Sequence, residues 1–318
     1  MAALTLFAAA ISLAWAVVAV WIGPRVGYVD APEGDPLKTH TRAAVPLGGV
    51  GVFVGVHAGL FLGDSFEPAL LAASAVVVTV GLVDDRRPLP PLVRLAGWGV
   101  AAAIVALDVP PGAGVTLGAL VAAATVLSIA SVNLFDGLDG LAASSALVAA
   151  GGLALLAVAR GADHAFPLLL LGALAGFLVL NWHPARVFLG DSGAYVVGVL
   201  LAWGMMVVSP GGGTDLVVAA GVLGVFVIDL VLTILRRLGH RQRLFAGDRS
   251  HVYDQMHRRG WPVAGVAIAA AALQAAFVAV VLLADRLLPA VAAAVTVAGV
   301  LAVAVGAFVL GGFTRTRD

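Results

Sequence analysis

Three side chains in the stretch SVNLFDGLDGLAAS step by three: Asn133, Asp136 and Asp139. In helical register they share one face, and Gly137 and Gly140 keep that face thin, so a bulky ligand can come close. Other acids recur in similar settings. Asp84 and Asp85 close GLVDDRRPLPP, and Asp191 sits in FLGDSG, between Gly190 and Gly193, where backbone can approach an anion. Asp229 is embedded in VFVIDLVLTILRR. Repeated carboxylates with Asn and no Cys suit a hard divalent cation, Mg²⁺ or Mn²⁺, which keeps waters and takes phosphate oxygens readily. Cations stand near these acids: Lys38 and His40 in KTHTRAAVPLGG, and seven arginines in RRLGHRQRLFAGDRSHVYDQMHRRG. A metal–carboxylate cleft edged by Arg, Lys and His would hold a diphosphate. The chemistry this pattern points to is phosphoryl transfer at a membrane surface, with one substrate from water and one from lipid.

The elements that carry these groups must be membrane helices. The chain of 318 residues is 61% hydrophobic and only 11% charged, with a mean hydropathy of +1.06; a soluble domain is roughly half apolar. An acid at the centre of a membrane helix costs roughly 2.5–3.5 kcal/mol, and less at a helix end near water. Stretches of about 20 apolar residues predict an all-α, polytopic integral membrane protein with eleven spans: 2–22, 47–63, 69–83, 92–107, 115–132, 141–159, 165–181, 193–208, 215–235, 263–284 and 289–311. The first lacks a positive n-region and is read as a retained helix, not a signal peptide. The absence of Cys excludes disulfides, thiolate metal sites and a Cys nucleophile, and zero formal net charge leaves no basic tail for nucleic acid.

Eleven spans put the termini on opposite sides. Of 18 Lys and Arg, all but Arg160 and Arg286 fall on the side of loops 24–46, 84–91, 133–140, 182–192 and 236–262 and of the C-terminal tail. The positive-inside rule makes that side cytoplasmic and the N-terminus external. The expectation is one membrane-embedded domain over 1–318, in the plasma membrane, with those five loops forming a cytoplasmic cleft.

Five blocks then carry a resemblance. They are Lys38-Thr-His40 with Pro46-Leu-Gly-Gly49; Gly81-Leu-Val-Asp84-Asp85-Arg86; Asn133-Leu-Phe-Asp136-Gly-Leu-Asp139; Asn181-Trp-His-Pro184 through Phe188, Asp191 and Gly193; and Asp229 with Arg236-Arg237 and Gly247-Asp248-Arg249-Ser-His251. In this order they resemble the polyprenyl-phosphate N-acetylhexosamine-1-phosphate transferases, glycosyltransferase family 4. The branch acting on UDP-GlcNAc and undecaprenyl phosphate fits better than phospho-MurNAc-pentapeptide transferase, because Tyr253 and Asp254 stand where that branch has further histidines.

The resemblance implies transfer of sugar-1-phosphate from a UDP-sugar to polyprenyl phosphate, releasing UMP, with Mg²⁺ or Mn²⁺, in cell-envelope glycan or glycoconjugate synthesis. It implies Asp191 as the main metal ligand, with Asp136 beside it. Asp84 would orient or deprotonate the lipid phosphate next to Asp85, and Asp136 and Asp139 would complete the catalytic carboxylates. Lys38, His40, Asn133, Asn181, Phe188, Asp248, Arg249 and His251 would bind substrate, Phe188 against uracil. A direct attack and an aspartyl intermediate both stay open, as does a homodimer. The alternative from another class is a cation-coupled transporter using the same aspartates, although transporter sites lie near the bilayer midplane and often in internal repeats. The CDP-alcohol phosphotransferase pattern fails at Ser144, where it needs Arg.

Overall fold

The computed structural model describes residues 1–30, 43–109, 114–241 and 249–309. Lys38, His40 and Asp248 lie outside the described residues. Apart from isolated bridges that pair Asp30 with Ala44 and Val45 with Val187, the regular secondary structure of the described chain is helical, joined by turns and loops. Helices are what lipid demands: no water is present to satisfy exposed backbone N–H and C=O groups, so each segment bonds its own.

The order is α1 (Ala2–Ile22), α2 (Gly48–Leu62), α3 (Pro68–Asp84), α4 (Pro91–Leu107), α5 (Gly114–Phe135), α6 (Leu141–Arg160), α7 (Ala165–Asn181), α8 (Gly190–Val207), α9 (Gly213–Ala220), α10 (Gly224–Gly239), α11 (Val252–Arg258), α12 (Val263–Ala284) and α13 (Pro289–Val309). Pro68 and Pro91 open α3 and α4, where a missing N–H costs nothing. Among the described residues, six helical segments are long and apolar enough to cross a membrane, and five shorter apolar helices accompany them.

α8 lies at the centre, with 78% of its residues inside, whereas the α1 segment is 22% inside and faces outward. α8 packs on α3, α5 and α2, while α1 packs on α7 and α2, and α6 on α12. Small residues permit the closest of these approaches. A Cβ at Gly81 of α3 would lie 2.3 Å from Ser192 Cα in α8, so only glycine lets the two helices meet there.

One expected span is broken. The stretch read as a continuous helix over 215–235 divides into α9 and α10 around a 3₁₀ turn at Gly221–Leu223. The freed backbone groups find a side chain instead of lipid: the fully buried Gln274 of α12 accepts from Val225 N–H at 3.1 Å and donates to the Val222 carbonyl.

Candidate active site

Four helix ends meet at one cavity of about 650 Å³. Asp84 is the last residue of α3 and Asp85 caps it. Asn133 lies in the last turn of α5, Asn181 ends α7, and Asp191 is the second residue of α8. All five line the cavity, together with Asp136, Asp139 and Phe188. The structure thus brings together the acids that sequence placed in separate loops.

Each carboxylate has a distinct setting. Asp85 caps the N-terminus of α8: its oxygens accept from Asp191 N–H at 2.7 Å and Ser192 N–H at 3.2 Å. Gly190 makes this possible. Its φ is +73°, and a Cβ there would lie 2.7 Å from the Pro46 carbonyl and 2.9 Å from an Asp85 oxygen. Buried Asp84 accepts from Tyr195 O–H at 2.6 Å on one oxygen and from Leu89 N–H at 2.7 Å on the other, with Arg94 Nε 3.6 Å away. It lines the cavity as a well-held strut. Asp191 Oδ1 accepts from Asn133 Nδ2 at 2.7 Å.

Asp139 and Asn181 join two loops. Asp139 Oδ2 accepts from Ala185 N–H at 3.0 Å and lies 2.8 Å from His183 Nδ1. Asn181 accepts from Gly140 N–H at 3.2 Å and donates to the Val187 carbonyl at 3.0 Å. Together they latch the Asp136-bearing turn to the loop that presents Phe188. Both residues were expected to act on substrate, yet in the structure these atoms contact protein.

Among the described residues, Asp229, Arg249, His251 and Tyr253 stand behind this turn and do not line the cavity. His251 is buried, with Nδ1 2.7 Å from Asp229 Oδ2, and its ring stacks on Tyr253 at 5.1 Å between centroids. Tyr253 O–H donates to the Leu134 carbonyl at 2.8 Å, and its ring occupies the space a Cβ on Gly137 would need. Arg249 faces Asp254 at 3.4 Å. Tyr253 therefore transmits the Asp229–His251 pair to the Asn133–Asp136 turn.

Two acids keep lone pairs for a ligand. Among the described residues, no donor reaches either oxygen of Asp136 or the second oxygen of Asp191. Burial, and then the Asp191, Asp85 and Asp139 carboxylates, push Asp136 up to about 8. Burial, and then Asp191, raise Asp85 to about 7. So many acids in one buried cluster cannot all stay ionised without a cation. Among the described residues no three His, Asp or Glu groups form a complete metal cage, but Mg²⁺ needs only one or two carboxylates beside its waters and a phosphate. Asp136 and Asp191 fit that requirement.

Sequence reasoning missed several supports. Tyr195 follows Asp191 by one turn of α8, an i,i+4 spacing that gave a readable signal. Arg94 and Tyr28 gave none, since only the fold brings them to Asp84 and to the cavity wall.

The glycosyl transferase family 4 model matches residues 68–209. The chain is 31% identical over 297 residues to phospho-N-acetylmuramoyl-pentapeptide-transferase of Moorella thermoacetica, spanning 80% of this chain and 91% of that one. It belongs to glycosyl transferase family 4. Among the described residues, the family match spans every cavity carboxylate except Asp30. The chain is also 29% identical over 289 residues to decaprenyl-phosphate N-acetylglucosaminephosphotransferase of Mycobacterium tuberculosis, covering 75% of this chain and 71% of the relative. It is 29% identical over 256 residues to the probable undecaprenyl-phosphate N-acetylglucosaminyl 1-phosphate transferase of Bacillus subtilis, covering 74% and 71%. All three relatives carry the names of transferases, and the transporter alternative gains no support from them.

Proposed function

We propose that this family 4 chain transfers a sugar-1-phosphate, N-acetylglucosamine-1-phosphate foremost, from a UDP-sugar to a polyprenyl phosphate. The observation that carries this reading is the cavity at four helix ends, where Asp136 and Asp191 keep oxygens free. The relatives' acceptors and sugar agree with it. The six long and five shorter apolar helices together make eleven spans in this reading. The N-terminus is external, and the cavity opens at the cytoplasmic face of the plasma membrane, where nucleotide sugars are made and lysine and arginine gather.

Asp136 and Asp191 would hold Mg²⁺ or Mn²⁺. Bound there, the ion would offset charge on the donor diphosphate and on the departing UMP. The chain supplies position. Asp85 fixes the start of α8 and so the direction of Asp191. Asp84, locked by Tyr195 and Leu89, orients the acceptor side of the cavity. Asp139 and Asn181 hold the loops that carry Asp136 and Phe188, and Phe188 offers its ring to the uracil. An oxygen of the acceptor phosphate then bonds to the β-phosphorus of the donor, the bond from that phosphorus to the bridging oxygen breaks, and UMP leaves with the electron pair.

The test is a donor screen. Purified protein, undecaprenyl phosphate and Mg²⁺ are incubated with a panel of UDP-sugars, and the lipid product is read by mass spectrometry. A polyprenyl-diphospho-N-acetylglucosamine mass with UMP release is expected. Free sugar or sugar phosphate without a lipid product would refute the transfer.

A further inference from the structure

We propose that Arg86, held over the ring of Tyr28, is the receptor for a phosphate group of the substrates. This deepens the transferase reading and rests on it for the identity of the phosphate.

The cavity wall presents a charge problem. Asp30, Asp84, Asp85, Asp136, Asp139 and Asp191 all line it, and a phosphate entering among them is repelled. Among the described residues, Arg86 is the one Lys, Arg or His side chain on that wall. It directly follows Asp85, yet it forms no ion pair with any described acid. Its guanidinium carbon instead lies 4.8 Å from the centroid of the Tyr28 ring. A ring face attracts the cation and holds its position without using up the in-plane N–H donors of the guanidinium. Those donors suit two oxygens of one phosphate.

The ring is itself anchored. Tyr28 is buried, and its O–H donates to the Leu82 carbonyl at 3.1 Å, two residues before Asp84. Gly27, with φ +67°, turns the chain so that Tyr28 can reach this site. The end of α3 therefore carries both the acid pair and the ring that holds the neighbouring cation. An arginine whose role was only to balance the acids would sit against one of them. This one is exposed and kept apart from them, with its donors available to a ligand.

The phosphate could belong to the donor diphosphate or to the acceptor, and two probes separate these sources. Affinities of the full chain in detergent with Mg²⁺ are measured for inorganic pyrophosphate and for farnesyl phosphate, in wild type, Arg86→Gln, Arg86→Lys, Tyr28→Leu and Tyr28→Phe. Arg86→Gln is expected to weaken one probe by about tenfold or more, the loss of a charge-assisted pair, while unliganded melting stays at the wild-type temperature. Pyrophosphate as the affected probe assigns the donor, and farnesyl phosphate assigns the acceptor. Arg86→Lys should fall between, Tyr28→Leu should weaken the same probe, and Tyr28→Phe, which keeps the ring, should do so less.

Wild-type affinity of Arg86→Gln for both probes overturns the proposal, as does a wild type that binds neither. Should Arg86→Gln fail to fold, Arg86→Lys decides: unchanged affinity for both probes sinks the idea. A wild type that binds a probe through Arg86 but makes no lipid product refutes the transferase reading and leaves Arg86 as a phosphate receptor.

Discussion

At the scale of single residues, the cavity carboxylates divide by what their oxygens already hold. Asp84 and Asp85 are occupied by protein donors, whereas Asp136 and part of Asp191 are not. Asp136→Asn and Asp191→Asn should each lower turnover by more than about a hundredfold, the loss that even a supporting partner of a metal ligand can cause. Tyr195→Phe removes a buried donor to Asp84 and should cost about 1–3 kcal/mol of stability, read by thermal unfolding, with a lesser fall in turnover than Asp191→Asn. The pH dependence has a definite sign. Asp85 near 7 and Asp136 near 8 are acids raised above their unfolded values. In metal-free protein their ionisation destabilises the fold as pH rises from the unfolded carboxylate range through 7 and 8. Added Mg²⁺ relieves that repulsion, so the rise in Tm on adding Mg²⁺ should grow between pH 6 and pH 8.5. A constant increment would contradict this.

At the scale of elements, helix ends are what place chemistry, and most of them were legible. The apolar runs mark 2–22 and 141–159, and the helices are Ala2–Ile22 and Leu141–Arg160. Hydropathy gives such ends because a charged residue or a Gly-Pro pair, as at Arg160 and Gly23-Pro24, stops the run where water begins. It could not give the break at Gly221–Leu223, since GVLG is as apolar as its flanks; the one signal was Gln274, a lone amide inside a membrane helix. Nor could it give the division of labour among the acids. The Asn133, Asp136 and Asp139 spacing was readable, but whether an oxygen meets a ligand or a neighbouring loop depends on long-range packing, as Asp139 and Ala185 show. Two glycines test the packing. Gly190→Ala forces a side chain into positive φ and against Asp85, so it should cost about 1–3 kcal/mol and most of the activity. Gly81→Leu should separate α3 from α8 and destabilise the fold by about 1–3 kcal/mol or more, again read by thermal unfolding.

At the scale of the whole molecule, the proposed function needs a lipid phase and a water phase to meet at one cavity. The lack of native Cys makes its orientation testable. In intact cells, Ser65→Cys and Ala162→Cys should react with an impermeant maleimide, and Arg186→Cys should react only after permeabilisation; the reverse pattern would invert the topology. The most direct test of the central claim is Mn²⁺ binding followed by electron paramagnetic resonance on the purified chain. The account predicts one Mn²⁺ per chain, bound more tightly when UDP-GlcNAc is present and lost in Asp136→Asn/Asp191→Asn. Equal Mn²⁺ binding by the double variant, or affinity indifferent to the nucleotide sugar, would contradict it.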